Sequence, residues 1–283
     1  MNKKFVALAV VCVAITMFSS WSYVKQLNID APLGIADVQK PIVVIIPSYN
    51  NIKWYRQNLD SVLAQDYSNY SIVYIDDKSS DGTGIAVKEY IKERNIEHNV
   101  TLICNTQNKG AMANIYAAVH AQHDDAIIIT LDGDDWLYDK NVFQTINNAY
   151  ADSNVWMTYG NYTHYPEQRM SSCCAPIPQQ VIDLHAYRRY PWCASHLRTF
   201  YAWLFKKIKK EDLCDSSDFY RVTWDQAFML PMLEMAAGRW RYISDILYVY
   251  NVQNPLNDFK VHLREQLLAE RAIRAKQPYE ALS

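Results

Sequence analysis

Three carboxylates, Asp132, Asp134 and Asp135, stand at the abrupt end of an apolar run, IIITLDGDDW at residues 127–136. Asp132 and Asp134 are spaced i, i+2, and residues so spaced in an extended segment point to the same side. Gly133 between them lets the backbone come close to a neighbour. Two hard oxygen donors facing one target suit Mg2+ or Mn2+, and such an ion in turn suits a diphosphate. The same acids also fit a second reading, an acidic loop that caps the next helix with Asp135 or Asp139 as its N-cap.

The apolar run reads as a buried strand of a parallel sheet. Open parallel sheets place ligands just beyond the carboxyl ends of such strands. Two similar strands lie upstream: PIVVIIPSYN at 41–50 ends in a turn, and SIVYIDDKSSDGT at 71–83 ends in acids and turn formers. Between them, residues 54–65 place Trp54, Leu59, Val62 and Leu63 at helical spacing. The alternation of strand and helix predicts an α/β fold with a parallel sheet. Further along, 155–159 reads as a strand and 171–180 as a loop with two prolines and adjacent cysteines. Residues 202–210 and 223–237 read as helices, the first with lysines near its end where the helix dipole favours them. Residues 187–199 gather Arg188, Arg189, Trp192, His196 and Arg198 among aromatics. That mixture suits a sugar and a diphosphate, and equally a solvated basic surface.

IIPSYN, VYIDDKSSDGT, NKGAMAN and TLDGDDWL, in that order, resemble the family 2 glycosyltransferases of GT-A fold. The resemblance is close over residues 41–150 and looser to 255. It implies a Rossmann-like, mostly parallel sheet flanked by helices, with a nucleotide-sugar-binding half at 41–150, an acceptor-binding half at 151–255 and a C-terminal helical tail at 256–283. The implied donor is a nucleotide sugar, first of all a UDP-sugar. Pro47, Tyr49 and Asp77 would hold the nucleoside with Asp76 nearby, and Lys109, Asn114, Asp132, His196 and Arg198 would complete the substrate contacts. Asp132 and Asp134 would hold Mn2+ or Mg2+, with Asp134 foremost, and His196 would either complete the metal shell or serve as a structural histidine. The family often carries a Glu-Asp or Asp-Asp pair whose second member is the general base. This chain has Trp224-Asp225, which retains the second position and makes Asp225 the implied base. Asp218 and Glu234 are its rivals. The implied reaction is one displacement with inversion onto a carbohydrate, lipid-linked or protein acceptor. Arg239-Trp240 is similar to part of the Q-x-x-R-W signature of processive synthases, but the Gln of that signature is absent, so a single transfer is expected.

Composition fits one large α/β domain with an appendage: 283 residues, half of them hydrophobic. A net charge of −2 gives no electrostatic reason to expect a nucleic-acid partner. Most of the 21 tyrosines and eight tryptophans are expected in packing. At the N-terminus, Lys3 and Lys4 precede a stretch without charge from Phe5 to Val24. Its length fits a spanning helix, so residues 1–24 are expected to form a single-pass anchor preceded by cytoplasmic lysines, with 25–40 as a stem. The competing reading is a signal peptide cut before Tyr23. The anchor predicts a Golgi or endoplasmic-reticulum lumenal enzyme in a eukaryote, or an inner-membrane one in a bacterium; cleavage predicts a secreted or periplasmic one. In a eukaryotic lumen Asn69, Asn99 and Asn161 would be glycan acceptors. Cys104 is expected to be a buried hydrophobe, and Cys173, Cys174, Cys193 and Cys214 lack zinc-finger spacing, which leaves disulfides and free thiols both open. Two other functions remain: an inactive sugar-binding scaffold, which intact Asp77, Asp132, Asp134 and Asp225 argue against, and a nucleotidyltransferase, whose usual Gly-rich loop is replaced here by PSYNNIKWY.

Overall fold

The computed structural model describes residues 38–216 and 218–283. The apolar segment 5–24, and with it the anchor and signal-peptide readings, lies outside the described residues, as do most of the expected stem and Cys12. Among the described residues no helix is long and apolar enough to cross a membrane.

The chain runs β1 (Ile42–Ser48), α1 (Tyr55–Leu63), β2 (Tyr70–Asp76), α2 (Thr83–Glu93), β3 (Val100–Cys104), α3 (Ala111–His120), β4 (Ile127–Thr130), β5 (Trp136–Leu137), α4 (Val142–Ala149) and β6 (Met157–Tyr165). It continues through α5 (Gln179–Asp183), β7 (Thr199–Tyr201), α6 (Ala202–Lys206), α7 (Trp224–Ala236), β8 (Trp240–Asn251), α8 (Asp258–Val261) and α9 (Leu263–Ala275). The strands form one eight-stranded sheet in the order β3-β2-β1-β4-β7-β6-β8-β5.

The alternating side chains of β1 show why these runs are strands. Val43 and Ile45 enter a core with Val73, Ile75 and Ile128, covered by α3, α6 and α7. Ile42, Val44 and Ile46 enter the opposite core with Ile72, Tyr74, Ile127 and Ile129, covered by α1, α2 and α4. A strand buried on both faces must be apolar at every position, which is the pattern of 41–46 and 127–129.

β3, β2, β1 and β4 pair in parallel. Beyond β4 the mostly parallel sheet takes in antiparallel neighbours, since β7 pairs antiparallel with both β4 and β6, and β5 antiparallel with β8. β6 and β8 are again parallel. The sheet is therefore mixed.

The basic segment before β7 is not a solvated surface. Arg188 is buried, donates from Nε and Nη2 to both oxygens of Glu234 at 2.6 and 2.9 Å, and from Nη1 to the Ile273 carbonyl at 2.6 Å. This fork joins the turn at Tyr187–Arg189 to α7 and α9. It also removes Glu234 from the candidate bases, since that carboxylate is fully buried against a guanidinium. The five described cysteines carry free thiols, and Cys104 is exposed rather than buried, because it sits on the edge strand β3.

Candidate active site

A cavity of about 720 Å³ opens beyond the carboxyl ends of β1, β2 and β4. The strand order makes the gap between β1 and β4 the switch point, since β1 connects onward to β2 on one side while β4 lies on the other. Pro47, Tyr49, Asp77, Asp132, Asp134, His196, Arg198 and Asp225 all line this space.

β1 and β4 meet at Gly133. A Cβ there would stand 2.7 Å from Asn51 Nδ2 and from Ser48 Cβ and Oγ. These neighbours are fixed: Asn51 Nδ2 donates to Ser48 Oγ at 3.1 Å, and Tyr74 OH donates to the same oxygen at 2.8 Å. Gly133→Ala should therefore lose about 1–3 kcal/mol of stability through overpacking. It should also lower activity by displacing the flanking aspartates. An unchanged urea midpoint would contradict that contact.

Asp132 and Asp134 both face the cavity, as their i, i+2 spacing requires, and both are half-buried. Burial raises the Asp132 carboxyl to about 7; Arg198 acts against the rise, and Asp134, Asp225 and Asp258 add to it. Burial likewise raises Asp134, although Asn254 Nδ2 donates to its Oδ2 at 2.7 Å. Asp135 turns inward instead. Its Oδ2 accepts from Tyr248 OH at 2.5 Å and its Oδ1 from the Asn251 N–H at 2.7 Å, which ties the acidic turn to β8. Neither Asp135 nor Asp139 caps α4, whose N-cap is Asn141.

Among the described residues no three His, Cys, Asp or Glu side chains form a metal shell by themselves. The donor set nevertheless fits a divalent ion of the Mg2+ or Mn2+ kind. Such ions are held by one or two carboxylates, with substrate phosphates and water supplying the rest. Asp132 and Asp134 provide two, in a cluster whose mutual repulsion a cation would relieve.

His196 does not join them as a third ligand. It is buried and stacked on Tyr248 at 4.2 Å, and its Nδ1 accepts from Arg198 Nη2 at 3.1 Å. Burial, then the Arg198 charge, push its pKa well below the ordinary histidine value, so it remains a neutral acceptor. Arg198 is 2% exposed, and its Nη1 donates to Asp225 Oδ2 at 3.0 Å. His196 therefore orients Arg198, and Arg198 in turn orients Asp225.

Asp225 opens α7, where the helix dipole favours a carboxylate. The preceding Thr223 takes a left-handed φ of 56°, unusual for a β-branched residue, and its hydroxyl donates to the Gln266 carbonyl at 3.2 Å. Backbone strain of this kind concentrates at functional sites. Asp218, the rival base, lies on an exposed loop and does not line the cavity.

The adjacent acids at the end of β2 face opposite ways. Asp77 enters the cavity wall, where its Oδ1 accepts from Asn105 Nδ2 at 2.7 Å and the Lys109 N–H at 2.9 Å, and its Oδ2 from the Gly110 N–H at 2.7 Å. Burial acts to raise its pKa, but these hydrogen bonds outweigh it and hold it below the usual carboxylate range. Asp76 points away toward α2, close enough that a Cβ on Gly84 would stand 2.8 Å from its Oδ2. Asp76, Lys109 and Asn114 thus do not line the cavity. Lys109 acts through its main chain, and Asn114 is buried behind Asn105, accepting from its amide at 2.8 Å.

Among the lining residues that the sequence did not single out are Arg221, Asp258 and His262. Arg221 Nη1 donates to Asn108 Oδ1 at 2.7 Å, beside the Asp77 loop. The signal for Arg221 was a lone basic residue four positions before Asp225, and nothing local marked the other two.

The family profile described as glycosyl transferase family 2 matches residues 43–225. GlyG, a glycosyltransferase of Streptococcus pneumoniae serotype 4, is 23% identical over 218 residues, which cover 74% of this chain and 70% of that protein. The UDP-Glc:alpha-D-GlcNAc-diphosphoundecaprenol beta-1,3-glucosyltransferase WfgD of Escherichia coli is 32% identical over 122 residues, 43% of this chain and 45% of WfgD. The chain therefore aligns with less than half of that relative's length. Among solved structures, the mannosyltransferase PcManGT from Pyrobaculum calidifontis, in complex with GDP-Man and Mn2+, superposes with a TM-score of 0.59 at 20% identity, over 89% of this chain and 70% of that one. The superposition establishes a common fold, and the profile match covers well over half of the chain: the protein belongs to glycosyl transferase family 2.

Proposed function

We propose that the protein moves a sugar from a nucleotide-sugar donor, in the first instance a UDP-sugar, to an acceptor hydroxyl with inversion, assisted by Mn2+ or Mg2+. The observation that carries this reading is the meeting of four carboxylates in one cavity, Asp77, Asp132, Asp134 and Asp225, the last held by Arg198. The UDP-Glc in the name of WfgD and the GDP-Man and Mn2+ bound to PcManGT support a nucleotide-sugar donor and a divalent ion.

Pro47, Tyr49 and the Asp77 carboxylate hold the nucleoside, where a carboxylate can take the imide N–H of uracil or a ribose hydroxyl. Asp132 and Asp134 would hold the ion, which when bound supplies Lewis-acid stabilisation of the departing diphosphate. Arg221 stands at the same end to offer a guanidinium to phosphate oxygens. The acceptor oxygen attacks the anomeric carbon, the bond from that carbon to the diphosphate oxygen breaks, and Asp225 takes the acceptor proton. A single displacement of this kind inverts the anomeric centre. Arg198 fixes the carboxylate that receives the proton.

Titration calorimetry of the full chain with UDP and GDP in the presence of Mn2+ tests the donor side. UDP should bind, and Asp77→Ala should weaken it about tenfold or more, since hydrogen bonds to a charged group contribute about 1.5–3 kcal/mol. Unchanged UDP affinity in that variant would place base recognition elsewhere, and preference for GDP would replace the UDP assignment.

A further inference from the structure

Resting on the transferase reading, we propose that the segment 256–271 beside the cavity mouth docks on an anionic lipid surface, so that the acceptor hydroxyl reaching Asp225 is carried on a membrane lipid. Of the 14 large hydrophobic side chains exposed among the described residues, five lie within 13 consecutive positions: Leu256, Val261, Leu263, Leu267 and Leu268, all 46–59% exposed. Leu256, Leu263 and Leu267 also line the cavity, so this apolar surface continues into the site.

The geometry of α9 explains why its leucines are exposed. Ile273 and Ala269 turn inward against the core of α7. At 100° per residue, the face opposite them carries Arg264 and Arg271 at its centre, with Leu267 on one flank and Leu268 on the other. All four are exposed. A helix face with arginines between protruding leucines matches the boundary of a bilayer bearing anionic headgroups, where the leucines enter the acyl edge and the guanidiniums meet phosphate. An acidic protein partner would meet the charges but not the leucines.

Hydrogen–deuterium exchange of the full chain decides it. Exchange is followed with vesicles of pure phosphatidylcholine and of phosphatidylcholine mixed with phosphatidylglycerol. Because the readout is local, membrane contact through 5–24 does not imitate it. Peptides covering 256–271 should exchange about tenfold more slowly on the anionic vesicles, and the triple variant Arg264→Glu, Leu268→Gln, Arg271→Glu should lose this protection. Exchange unaffected by anionic vesicles, or equal protection in the triple variant, overturns the proposal. Nucleotide release from donor sugars in the same samples separates the two claims. Release without protection removes the docking surface alone, whereas protection without release from any donor upholds the surface and removes the transferase reading.

Discussion

Asp225→Asn should slow sugar transfer by about 10²–10⁴-fold, the usual cost of losing a general base, while leaving donor affinity near that of the parent. A base acts only as the acceptor proton moves, so its loss belongs in turnover and not in nucleotide binding. The substitution keeps the shape of the side chain and its oxygen toward Arg198 Nη1, now 3.0 Å from Asp225 Oδ2. It does remove a negative charge from beside a guanidinium that is 2% exposed. Asp132, which also feels the Arg198 charge, remains to offset it. Circular dichroism and UDP titration on the same preparation separate a folding defect from a catalytic one. Transfer at near the parental rate, or a defect confined to nucleotide affinity, would dismiss Asp225 as the base.

The second large effect is expected at Asp134. Three acids lie within residues 132–135, all raised by burial, with Asp132 and Asp135 raised further by neighbouring carboxylates that include Asp134. Such a cluster is unfavourable without a cation. Asp134→Asn retains an oxygen to accept from the Asn254 amide, so the fold should persist. Turnover should fall by at least about 10²-fold, in keeping with several kcal/mol of charge stabilisation from a bound ion. Calorimetric Mn2+ binding should weaken in parallel, and excess chelator should reduce the parent enzyme to a similar level. Full activity in chelator, or Mn2+ affinity indifferent to the substitution, would remove the metal from the account.

Much of the donor half was legible because its strands are buried on both faces. Apolar runs at 41–46, 72–75 and 127–131, the last broken only by Thr130 and each ended by a turn or an acid, have few alternatives to central parallel strands. The helix read at 54–65 corresponds to α1 (Tyr55–Leu63) for a similar reason, an apolar stripe at helical spacing. The acceptor half was less legible because its order depends on distant pairs. Arg188 meets Glu234 46 residues away, and Arg198 meets Asp225 27 residues away. Either arginine, read locally, looks like a phosphate ligand or a surface charge. The opposed facing of Asp76 and Asp77 follows from strand alternation, which lets only one of two neighbours reach the cavity. Asp258 and His262 lay past residue 255, in a tail that the sequence marked only as helical, and it is the packing of α9 on α7 that brings them to the cavity.

The most direct test of the account is nucleotide release by the purified full chain from a panel of UDP- and GDP-sugars with Mn2+, with Asp134→Asn and Asp225→Asn run beside it. The account predicts release from at least one donor, UDP-linked in the first instance, dependent on the metal and suppressed in both variants. Release that proceeds equally in both variants, or none from any donor by a chain that binds UDP, would contradict it.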